Sequence, residues 1–89
     1  MESMIGGDHT FEGDSQFDGM IKGDATIAAG ASLRLHGMVN GDVTVSEGAR
    51  LDLLGMVKGD LIMQQGAHAK VSGAVGGDIV NHGGTVELN

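Results

Sequence analysis

At 89 residues the chain has room for one core, and a small globule buries only about 60% of its unfolded surface. With 17 Gly, two Phe and no Trp, Tyr or Pro, the composition disfavours layered folds and favours a narrow tube that needs one side chain from each wall. A net charge of −7 without clustered Lys or Arg excludes phosphate-backbone binding, and the lack of Cys excludes disulfides and thiolate metal sites.

In chain order, the opening MESMIGGDHT has neither the basic region nor the apolar run of a secretory signal. No apolar stretch reaches the roughly 20 residues of a membrane helix. The expected location is therefore the cytoplasm. Residues 1–18 carry Glu2, Asp8, Glu12, Asp14 and Asp18 with no base, whereas five acids balance five bases across residues 19–70.

From residue 19 the chain repeats. GMIKGD at 19–24 returns as GMVNGD at 37–42, GMVKGD at 55–60 and GAVGGD at 73–78, each eighteen residues after the last. A period this short belongs to single-coil β-helices. An α-helical reading fails because each interior Gly costs about 1 kcal/mol relative to Ala. In VTVSEGARLDL, Val43, Val45, Leu51 and Leu53 alternate with polar residues, as in strands with one buried face.

Rows of eighteen align four inward columns: Ile21, Val39, Val57, Val75; Ile27, Val45, Met63; Leu33, Leu51, Ala69; and Leu35, Leu53, Val71. Ala25, Val43, Leu61, Ile79 and Ala31, Ala49, Ala67 flank them. A first row two residues short adds Ile5, Phe11 and Phe17 to the first, second and fourth columns. A last row one residue short places Val80, Val86 and Leu88 in the second, third and fourth.

Each coil divides into hexads, giving three short strands and three corners. Gly23, Gly41, Gly59 and Gly77 mark one corner and Gly30, Gly48 and Gly66 another, where Gly supplies positive φ. The predicted fold is all-β: a single-stranded parallel β-helix, a triangular β-solenoid of about five coils of 16–18 residues. Residues 1–89 form one domain, with an acidic N-terminal capping coil 1–18, regular coils 19–72 and a short last coil 73–89. Stacking at about 4.8 Å makes a prism roughly 24 Å tall.

The motif in GMVNGDVTV and GAVGGDIV resembles the bactofilins, bacterial cytoskeletal proteins. That resemblance implies a right-handed triangular β-helix that polymerises end to end without nucleotide, and the Gly-Asp corners favour the same hand. The disordered tails and membrane-targeting stretch of that family are not expected here, since residues 1–89 show neither. A second resemblance, carried by Ile27 with Ala31 and Val45 with Ala49, is to the left-handed hexapeptide acyltransferases. Those enzymes need a catalytic His beside an acyl-donor groove, with a loop and a helix that have no counterpart here.

Asp8, Asp24, Asp42, Asp60 and Asp78 stack as a column that either caps corners by accepting N–H bonds or holds a cation. The dense GGxGxD pattern of calcium-binding rolls is absent. His9, His36, His68 and His82 fall in four different columns, with no catalytic companions and no metal spacing. No catalytic residue, cofactor site or metal site is assigned, and an enzyme is not expected.

Interaction surfaces are expected instead. Met4, Met20, Met38 and Met56 point outward as a flexible apolar stripe suited to protein contact. Val86 and Leu88 stay in phase at an open C-terminal edge, a template for pairing. The expected function is a non-enzymatic, self-associating structural protein of bactofilin type, forming a dimer or filament through its coil ends and Met stripe. The alternative is a small acidic binding module, such as a toxin-neutralising immunity protein, that covers a basic partner with Glu2, Glu12, Asp14 and Asp18.

Overall fold

A computed structural model describes residues 3–5 and 7–88, with side chains from residue 7 onward. Glu2 and the side chains of Met4 and Ile5 lie outside the described residues. The chain is all-β, and every pairing is parallel, between residues sixteen to eighteen apart.

Three faces result, each a sheet five strands deep. The first face stacks β1 (Ser3–Ile5), β4 (Gly19–Ile21), β7 (Met38–Val39), β10 (Met56–Val57) and β13 (Ala74–Val75). The second stacks β2 (His9–Phe11), β5 (Ala25–Ile27), β8 (Val43–Val45), β11 (Leu61–Met63) and β14 (Ile79–Asn81). The third stacks β3 (Asp14–Phe17), β6 (Ser32–Leu35), β9 (Arg50–Leu53), β12 (His68–Val71) and β15 (Thr85–Leu88). The chain visits the faces in turn, so like residues meet one rung apart and stacked coils form a β-solenoid.

Period-two alternation does the sorting. Along β5, β8 and β11 the outer residues are buried and the middle one is half-exposed. The inward columns fill one continuous core from Phe11 and Phe17 to Val71, and among the described residues no polar side chain is buried in it. Phe11 and Phe17 meet at 5.8 Å between ring centroids, and His9 stacks edge-on against Phe11 at 4.5 Å. These bulky rings fill the core of the first described rung.

The three corners use glycine differently. Between the second and third faces, the N–H groups of Ala31, Ala49 and Ala67 donate to the carbonyls of Ala28, Ser46 and Gln64. These are four-residue turns with Gly30, Gly48 and Gly66 at φ of 75°, 69° and 78°, where L side chains are strained. Gly23, Gly41, Gly59 and Gly77 were expected to serve the same purpose, but none has positive φ. Glycine is needed there because a Cβ would strike the Asp carboxylate and Gly backbone of the coil before.

Both irregular rows absorb their missing residues at the second-to-third-face corner. Phe11 pairs with Ile27, sixteen residues on, whereas Asp14 pairs with Ser32, eighteen on, so Glu12 and Gly13 replace a four-residue turn. In the last row, Met63 pairs with Asn81 and His68 with Thr85. Asn81, not Val80, therefore continues the second column. Val80 stands outward beside Ile62. The expectation failed because the lost residue falls after Asn81. The Asn81 side chain spans the shortened turn: Oδ1 accepts from the N–H groups of Gly83 (3.0 Å) and Gly84 (2.6 Å), and Nδ2 donates to the Gly84 carbonyl.

Candidate interaction surfaces

The Asp column has a definite geometry. Each Asp backbone N–H donates to Oδ1 of the Asp one coil earlier: Asp24 to Asp8 (2.9 Å), Asp42 to Asp24 (2.8 Å), Asp60 to Asp42 (2.8 Å) and Asp78 to Asp60 (2.9 Å). The carboxylates of Asp8, Asp24, Asp42 and Asp60 are thus inter-coil caps. Among the described residues, no three His, Cys, Asp or Glu side chains gather to hold a metal ion.

The first face carries the Met stripe. Met20, Met38 and Met56 are in direct register. Met20 and Met38 are half-buried, while Met56 is 42% exposed. Lys22 and Lys58 stand exposed two residues on from Met20 and Met56. Leu54, 40% exposed, extends the patch across the corner. Sequence reasoning missed it, although it is the only large aliphatic in the column Asp18, His36, Leu54, Ser72.

At the C-terminal rung, Leu88 is 71% and Ile79 38% exposed, with Val75 and Val86 half-buried beside them. β13, β14 and β15 are each the last strand of their sheet. At the opposite rung, Glu12, Asp14 and Asp18 are all exposed. Glu12 lies at the second-to-third-face corner, Asp14 on β3 and Asp18 at the corner before β4, so the acids ring the rung rather than cluster.

The third face is charged and grooved. A shallow concavity of about 470 Å³ runs over Ser32, Arg34, Arg50, Asp52, His68 and Lys70. Pairing sets Arg34 beside Asp52 and Lys70 between Asp52 and Glu87, an alternating ladder in which Arg34 Nε and Asp52 Oδ2 are 3.6 Å apart. Both side chains are substantially exposed, so this pair adds little stability.

The second face differs from both. Its middle column reads Thr10, Thr26, Thr44, Ile62 and Val80, all β-branched, uncharged and in register. Thr10 is exposed and the others are half-buried. His9 lies against the terminal Phe11, while His36, His68 and His82 are exposed in separate columns. No protein-family model, curated protein or solved structure matches the chain.

Proposed function

We propose that the protein is a non-enzymatic structural element of the bactofilin kind, a cytoplasmic solenoid that associates with copies of itself. The observation that carries this reading is the C-terminal rung, where Ile79 and Leu88 are exposed on strands that end their sheets. Unpaired N–H and C=O groups on such edges are templates for another strand, and exposed aliphatics add apolar area to bury. The Met stripe, with Met56 and Leu54 exposed, is the second contact surface.

Sedimentation velocity and negative-stain microscopy across rising protein concentration test the reading. Wild type should grow into larger species than Leu88→Lys at every concentration. Equal behaviour of the two proteins would remove the C-terminal rung from the account. A second reading, a binding module for a basic protein, draws on the exposed Glu12, Asp14 and Asp18 in a segment without Lys or Arg. Replacing all three with Ser should then abolish retention on a lysine-rich peptide column at low salt, and unchanged retention would discard it.

A further inference from the structure

The second face presents a pattern that neither the core nor the corner chemistry uses. Its outward middle column is Thr10, Thr26, Thr44, Ile62, Val80, one β-branched residue per rung and no charge. The outward columns of the other faces carry Lys22 and Lys58, or Arg34, Asp52, Lys70 and Glu87. On one side the Thr column is flanked by the Asp ladder, and on the other by Glu12, Ala28, Ser46, Gln64 and His82.

We propose that this face packs on the same face of a second copy, with the two solenoid axes parallel and related by a two-fold. Such a rotation sets the middle column of one copy on its own counterpart, rung by rung. It also sets each Asp against the residue four positions on in the mate: Asp24 on Ala28, Asp42 on Ser46, Asp60 on Gln64, Asp78 on His82. Three of these pairs place a carboxylate opposite a side-chain donor. Asp24, Asp42 and Asp60 each use Oδ1 for the neighbouring rung, and the second oxygen remains to accept across the interface. Only Asp8 on Glu12 is unfavourable. The antiparallel arrangement would instead stack one Asp column on the other, which like charge disfavours. Charge thus selects the parallel pair.

The face is small. Five strands at about 4.8 Å and three or four residues at about 3.3 Å give roughly 24 by 10–13 Å. That is well under the ~800 Å² per partner of a stable interface, so pairing is weak and concentration-dependent. The proposal rests on the self-association reading but names a different surface from the C-terminal rung, so Leu88→Lys leaves it unaffected. Repeated along an end-to-end assembly, the same weak contact would add up.

Cysteine cross-linking is the test, because the chain has no Cys of its own. Thr26→Cys and Thr44→Cys should both form disulfide-linked dimers under air oxidation, several-fold faster than Gln16→Cys on the third face or Lys58→Cys on the first. Thr44 lies on the middle rung, where either axis direction brings it to itself; Thr26 meets its own copy only in the parallel pair. Cross-linking of Thr44→Cys alone would therefore overturn the proposed geometry, and rates no faster than the controls would overturn the interface. Independently, Thr44→Lys should abolish the concentration-dependent dimer in sedimentation equilibrium of the Leu88→Lys background, while Thr44→Val keeps it. An unchanged dimer in Thr44→Lys would also overturn the proposal.

Discussion

Replacing Asp42 separates the two opposed roles of the Asp ladder. Its carboxylate accepts the Asp60 N–H at 2.8 Å and stands one rung from the carboxylates of Asp24 and Asp60. Removing a bond to a charged acceptor costs about 1.5–3 kcal/mol where no water can substitute, and this half-exposed corner lowers that. Against it, unit charges about 4.8 Å apart repel by roughly 0.9 kcal/mol in water, less in salt. With two neighbours, relief of about 1 kcal/mol offsets much of the lost bond. Absolute effects are therefore small, and the comparison between Ala and Asn decides. Both remove the charge, but only Asn keeps an acceptor in place. Asp42→Ala should be less stable than Asp42→Asn by about 1–1.5 kcal/mol, the worth of a neutral hydrogen bond. In a domain this size that is a gap on the order of 4–12 °C in Tm. Thermal and urea denaturation followed by circular dichroism measure it. Equal stabilities for Asn and Ala would refute acceptance of the Asp60 N–H as the column's role.

Other perturbations test separate parts of the account. Gly48→Ala meets open space but keeps a φ of 69°, so it should cost about 1–2 kcal/mol in urea unfolding. Gly55→Ala has ordinary φ, but its Cβ would meet the Gly37 carbonyl. It should cost more than Gly48→Ala and shift amide signals of both coils. Leu53→Ala, at a fully buried position between Leu35 and Val71, should lose about 2–5 kcal/mol. Met56→Asp should change stability by no more than about 0.5 kcal/mol, and an unaltered oligomer profile would demote the Met stripe to ordinary surface.

The core was legible because its signal is one-dimensional. A fixed period with strict alternation determines which residues face inward, and Leu33, Leu51 and Leu53 needed nothing more. Phe11 and Phe17 were placed for the same reason, despite the shortened first row. What period alone does not locate is the position of a deletion within a row. Asn81 was missed because a polar residue in an apolar column reads as a register shift until its side chain is seen bonding Gly83 and Gly84. Positive φ was the right reason at Gly30, Gly48 and Gly66 but not at Gly23, Gly41, Gly59 and Gly77, because close backbone approach leaves the same letter in a sequence. Leu54 and the grooved third face escaped notice because exposure and concavity depend on how far neighbouring side chains reach.

The central claim is rung-to-rung parallel pairing at eighteen residues, and through-hydrogen-bond scalar couplings in a triple-labelled sample observe it directly. The account predicts couplings from the Ala25 nitrogen to the Asp42 carbonyl, from Val43 to Asp60, and from Gln64 to Val45. Couplings between residues four apart, or antiparallel partners for Val43, would contradict it.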